Sequence, residues 1–252
     1  EAYEIVQSRN DLSGQVFISR ELGNVAIVTG HHRDAANHLN ESLSLARSTD
    51  DLDSASAALN SLGENAYAQN QLDSALNFYE QAFDLACKVG NRSDMAMIRA
   101  NMGTIYLQRG DFATCRVHTL EALALARAIE SVWMTAAALH VLGTALIYMG
   151  EEAAALEYLS EATGLTRQIG SEAFLTSLLP DYAIILYRRG EQHRALGLLN
   201  LAITHPACES DTRLEIEKIL VHWGMNQNLE SLQHFGSGLD LFMEIDRLQG
   251  HL

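Results

Sequence analysis

The chain has 252 residues, of which 48% are hydrophobic and 19% charged with two prolines, a balance that excludes a disordered chain and suits an all-helical protein with a packed core. Its 17 basic and 32 acidic side chains leave a formal charge of -15, which opposes phosphate backbones and anionic lipid, so direct nucleic-acid and membrane contacts are not expected and a neutral or basic partner is. No apolar run approaches the ~20 residues of a bilayer-spanning helix, no basic-then-apolar leader opens the chain, and three unpatterned cysteines give no disulfide framework; a cytoplasmic location follows as an expectation.

Glycine recurs on a forty-residue step at Gly23, Gly63, Gly103 and Gly143, with Ala183 on the next position. Gly30, Asn70, Gly110, Gly150 and Gly190 form a second series seven residues later, and Ala35, Ala75, Cys115, Ala155 and Ala195 a third. Self-similarity at this period marks an array of supersecondary units, each too small to bury its apolar face alone.

In chain order, residues 1–11 align with the tail of a truncated preceding unit, because Val6 stands forty residues before Ala46. A chain that opens halfway through a unit is expected to be cut from a longer polypeptide. Residues 12–210 hold five helix pairs. In the unit from Leu52 to Val89, Leu59, Leu62, Ala66 and Leu72 share one helical face, and Ala75, Phe78, Tyr79, Ala82, Phe83 and Ala86 make a second stripe. The turn between them falls at Asn70, where sister units carry glycine, and the next turn at Gly90, with Asn91 placed to cap the following helix. The first glycine series lies inside the first helix of each pair, where glycine costs about 1 kcal/mol relative to alanine. Close approach of a neighbouring helix is the expected return. Pro180 is expected to kink or delay the fifth first helix, and Pro206 ends its partner. Residues 211–252 read as a degenerate repeat or as capping helices, over Thr212 to Met225 and Leu229 to Leu248.

Leu62-Gly63, Tyr67, Asn70, Ala75, Phe78-Tyr79, Ala82 and Leu85 resemble the tetratricopeptide motif, and Met102-Gly103, Tyr106, Gly110, Ala122 and Leu125 repeat it, as do Leu142-Gly143, Gly150, Ala155, Tyr158 and Ala162. The forty-residue period is similar to the longer-helix variants of bacterial regulatory ATPases and repeat scaffolds. The resemblance spans about residues 12 to 205 and implies a right-handed superhelical solenoid of antiparallel helix pairs whose concave wall binds protein or peptide.

Chemistry is sparse by contrast. P-loop, HExxH, GxSxG and Rossmann fingerprints are absent, and Gly236-Ser237-Gly238 is a lone turn. Ten histidines, His31, His32, His38 and His193 among them, show no metal-ligand spacing, and Asp50, Asp51 and Asp53 lack a calcium loop. No enzyme, cofactor or metal is expected. Carried over position by position, the resemblance puts Arg20, Asn24, Asn60, Glu64, Tyr67, Met97, Thr104 and Gln108 on the groove, followed by His140, Thr144, Tyr148, Tyr187 and Arg188, with Trp133 preceding His140. Asn24, Asn60 and Gln108 suit peptide amides, and the tyrosines suit aromatic anchoring. For each position, packing against the adjacent repeat is the alternative. With only Arg20 and Arg188 as cations, an acidic chain terminus is a poor fit. The expected function is a non-enzymatic interaction scaffold; the alternative is a sensor segment of a multidomain signalling or transcription-regulating ATPase, binding an effector or another domain of the same polypeptide.

Overall fold

The structure, a computed structural model, describes residues 11–225 together with Leu232, Phe235, Met243 and Arg247. The tail before Asp11, the helix expected over Leu229–Leu248 and the turn at Gly236 lie outside the described residues. Residues 11–225 form eleven helices and no strand: α1 (Leu12–Val28), α2 (His32–Ser48), α3 (Leu52–Ala68), α4 (Leu72–Val89), α5 (Arg92–Gln108), α6 (Phe112–Ala128), α7 (Val132–Met149), α8 (Glu152–Ile169), α9 (Glu172–Arg188), α10 (Gln192–Thr204) and α11 (Ser210–His222). They group into two compact units, Glu1–Glu130 with the pairs α1/α2, α3/α4 and α5/α6, and Ser131–Leu252 with α7/α8, α9/α10 and α11.

The hairpins are cut to one length by their turns. A residue with left-handed φ, between 53° and 85°, stands at every twentieth position: Gly30, Asp50, Asn70, Gly90, Gly110, Glu130, Gly150, Gly170 and Gly190. The next residue's N–H then reaches back five positions, as from His31 to Ala26 O (2.8 Å), Gln71 to Ala66 O (2.9 Å) and Glu151 to Leu146 O (2.9 Å), which satisfies carbonyls at the helix end. Asp11, Asp51, Asn91, Ser131 and Ser171 each cap a first helix through the N–H three residues on. Among the second helices of the pairs only α6 has such a cap, from Asp111; His31, Gln71, Glu151 and Glu191 make none.

The glycine series inside the first helices is a packing seam. A Cβ at Gly23 would stand 2.5 Å from Leu39 Cγ, at Gly103 2.5 Å from Thr119 Oγ1, and at Gly143 2.7 Å from Leu159 Cγ, while at Gly63 it would enter the Tyr79 ring. Every partner lies sixteen residues further along, on the second helix of the same hairpin. The alanine series borders the same contact through the carbonyls of Ala35, Cys115 and Ala155. Cys115 is the buried filler that its place in that series implies. Leu59, Tyr79, Ile98 and Ile105 fill the core of the first unit; Leu139, Leu142, Ile147, Leu159, Leu175 and Leu178 fill that of the second.

Two expectations need correction. Pro180 does not shift the ends of α9, which runs 17 residues from N-cap Ser171 as α5 does from Asn91. And α7, at 18 residues with mean hydropathy 1.6, is long and apolar enough to cross a membrane by length and composition, although more than half of it is buried among its neighbours. Pro206 acts as expected: α10 stops at Thr204, and His205 is extended with ψ 136°, the conformation favoured close before a proline.

Gly103→Ala should destabilise the first unit by about 1 to 3 kcal/mol through the clash with Thr119; thermal denaturation measures it, and Thr119→Ala added in the same chain should recover part of the loss. Glu130 holds a left-handed backbone without being glycine, so Glu130→Gly should raise stability by about 1 kcal/mol in a urea melt.

Candidate functional site

Polar side chains on successive first helices meet at a fixed offset. In the first unit, Asn60 Nδ2 on α3 donates to Glu64 Oε1 (2.8 Å), and Asn101 Nδ2 on α5 donates to Asn60 Oδ1 (3.2 Å). Asn60 is almost fully buried. Burial pushes the Glu64 carboxyl above its ordinary value, opposed by the amides of Asn60 and Asn101. One repeat earlier, Asn24 Oδ1 on α1 is buried with no hydrogen-bond partner.

The second unit repeats this arrangement eighty residues on with different chemistry. His140 and Thr144 on α7 replace Asn60 and Glu64, and Asp181 on α9 replaces Asn101. His140 Nε2 lies 3.0 Å from Asp181 Oδ2, and Thr144 Oγ1 lies 2.8 Å from the same oxygen. Thr144 Oγ1 is also 3.0 Å from His140 O, but the charged acceptor holds its proton more strongly. Because this hydroxyl meets the carboxylate and not the imidazole, the set does not form a nucleophile–base–orienter relay. Asp181 is fully buried, and its Oδ1 has no partner among the described residues.

Glu215 on α11 adds a second acid. Burial and the Asp181 charge raise its carboxyl to about 7, against smaller opposing effects of His140 and Lys218. For His140, burial favours the neutral ring, but the hydrogen bond and charge of Asp181 prevail and raise its value. Burial likewise raises the Tyr148 hydroxyl, with Glu215 and Asp181 adding to it.

The remaining expected site residues fall into distinct settings. Arg20 pairs with Glu21 (3.0 Å) and covers the Phe17 ring. Met97 and Thr104 are half-buried, the Thr104 hydroxyl bonding Ala100 O (3.1 Å). Gln108 Nε2 bonds Asn70 Oδ1 (3.0 Å). Tyr67, Trp133 and Tyr148 are exposed at 37%, 58% and 45%. Tyr187 is half-buried under Trp223, its ring stacked at 3.8 Å and 7°, and Arg188 Nη1 donates to Ile147 O.

Sequence reasoning passed over Asn101, Asp181 and Glu215. The legible signal was Asp181 itself, a lone acid within the apolar run from Leu178 to Leu186. It also passed over a cleft of about 300 Å³ lined by Phe83 on α4, Arg99 and Tyr106 on α5 and His118 on α6, where Arg99 covers the Phe83 ring at 3.8 Å and Tyr106 stacks on His118. No three His, Cys, Asp or Glu side chains stand at metal-binding spacing among the described residues.

The family described as the MalT-like TPR region matches residues 5–223. The chain belongs to this family. No curated protein matches it. Among solved structures, BtubC from P. vanneervenii is similar at 17% identity and a TM-score of 0.68, covering 80% of this chain and 84% of that one. A STAND signal-transduction ATPase with a tetratricopeptide repeat sensor from Pyrococcus horikoshii is similar at 14% identity and a TM-score of 0.65, over 93% of this chain and 38% of that one. A Rap protein complexed with competence and sporulation factor is similar at 14% and 0.63, over 94% and 75%. At these identities the likeness shows the fold, a tetratricopeptide-type helical repeat.

Glu215 and His140 both bind protons more tightly in the folded chain, so the stability they contribute is complete below their unfolded values and is lost as pH rises through the folded ones. The second unit should therefore melt lower at pH 8 than at pH 5. Glu215→Gln should flatten that slope and stabilise the protein above pH 7 by at most about 3 kcal/mol, read from melts across the range.

Proposed function

We propose that this chain is a non-enzymatic interaction module whose first helices hold a polypeptide of neutral or basic character. One observation carries the reading: both units present polar side chains at equivalent, wholly or partly buried positions of their first helices, and two buried acceptor atoms there, Asn24 Oδ1 and Asp181 Oδ1, have no partner among the described residues. Buried polar groups lacking partners are costly, and the donors of an extended chain, backbone N–H groups and side chains alike, are suited to supply them. Tyr67, Trp133 and Tyr148, on first helices, expose rings that would supply rigid apolar contacts. The chain's formal charge of -15 disfavours an acidic partner or nucleic acid.

A second reading is that the module is the sensor segment of a larger signalling ATPase. Its support is the likeness to the Pyrococcus horikoshii protein, a STAND ATPase with a tetratricopeptide repeat sensor, of which this chain covers 38%. The partner would then be an effector or another domain of the same polypeptide. Both readings use the same side chains.

An array of short synthetic peptides probed with the purified chain tests the first reading. Tyr67→Ala and Tyr148→Ala, made separately, should leave the melting temperature nearly unchanged and weaken selected peptides at least about tenfold. Undiminished affinity in both variants would remove these rings from the site, and an array without binders would refute the polypeptide reading.

A further inference from the structure

We propose that Asp181, Glu215 and His140 form a subsite for one cationic side chain, lysine or arginine, of the bound polypeptide. The proposal rests on the polypeptide reading above and specifies what one part of the site selects.

Asp181 sits in the middle of α9 with no solvent exposure, and only one of its oxygens is served: His140 and Thr144 both approach Oδ2. Oδ1 has no donor. A buried carboxylate with an empty oxygen is costly, and a second acid nearby raises that cost. Glu215 is that second acid, brought in by α11, which packs against α9. Among the described residues no hydrogen-bond donor or ion-pair partner reaches Glu215. The neighbouring cations do not fill the role: Arg188 is turned to the Ile147 carbonyl, and Lys218, exposed on α11, pairs with neither acid.

His140, on α7, is the partly exposed edge of the cluster. Trp133, His140, Thr144 and Tyr148 lie on one helical stripe, with exposed rings at either end and a partly exposed imidazole between them. Aromatic rings beside a carboxylate favour ammonium and guanidinium groups. A metal ion is a poor fit, because these three side chains do not stand at metal-binding spacing. Glu215 is the sixth residue after N-cap Glu209, the place held after their own caps by Phe17, Ala57, Met97, Ala137 and Ser177. α11 thus carries an anionic residue where the first helices of the five pairs carry an apolar or neutral one. A cation arriving there ionises Glu215, so binding releases a proton near pH 7.

The test uses the full chain and two probes. The first is a peptide array with lysine, arginine, norleucine or glutamate at one fixed position. Wild type should prefer lysine and arginine, and Glu215→Gln, which keeps the fold, should lose at least about tenfold in affinity for those peptides while retaining the norleucine ones. Asp181→Asn serves as a second variant. Titration in two buffers of different ionisation heat should show proton release for the lysine peptide with wild type and less with Glu215→Gln, in which His140 alone can give one up. Equal affinity for lysine and norleucine peptides, or a preference that survives in Glu215→Gln, overturns the proposal. The second probe is N-acetyl-lysine methylamide, with the Glu215 carboxyl followed by carbon-13 NMR: its titration should move to lower pH, and an unmoved titration overturns the subsite whatever longer peptides do. A response to this amine in a chain that binds no peptide overturns the polypeptide as occupant and assigns the cluster to a small amine.

Discussion

Four of the five hairpins are keyed to one contact, that of a first-helix glycine with the side chain sixteen residues later. Gly23 faces Leu39, Gly63 Tyr79, Gly103 Thr119 and Gly143 Leu159, each too close to admit a Cβ. The intervening chain is consumed by half a helix, a left-handed turn residue and half of the next helix, so fixing this pair fixes the register of the hairpin. With turns at every twentieth residue the helices of successive pairs start and stop together. A seventeen-residue helix is about 25 Å long, and stacking such equal rods puts corresponding residues of neighbouring repeats in reach of one another.

That regularity lets one scaffold position carry different chemistry in different repeats. Asn60 meets Asn101 and His140 meets Asp181 across the same 41-residue separation, and Arg188 reaches Ile147 O across it too. One scaffold position therefore holds an amide in the first unit and an acid in the second. Charged pairs across the turns, Arg109 with Asp73 and Arg189 with Glu152, follow similar spacings. Being exposed, they contribute little stability. The buried polar groups weigh more, because an unpaired acceptor away from water carries the full desolvation penalty of that group.

The C-terminal part changes the character of the second unit. α11 stacks Trp223 on Tyr187, so that ring is held half-buried, while Glu215 is placed beside Asp181. The same helix thus occupies one aromatic position of the series and adds a charge to another.

The sequence by itself determined the helical hairpins, their forty-residue period, the turns and the glycine seam, because each follows from local spacing: positive φ selects glycine or asparagine, and a periodic glycine within an apolar stripe marks close packing. Even Asp50 and Glu130, which are not glycine, are placed by that period. Only the tertiary structure decided which polar groups meet. Asn101 and Asp181 stand 41 residues from their partners, and Glu215 reaches Asp181 from a helix whose own spacing departs from the repeat. Pro180 likewise reads as a breaker in sequence, yet α9 keeps its register. The physical reason is that burial and Coulomb interaction depend on distance in space, and a period predicts the place of a residue without saying which neighbour's charge, ring or vacant oxygen it will find there.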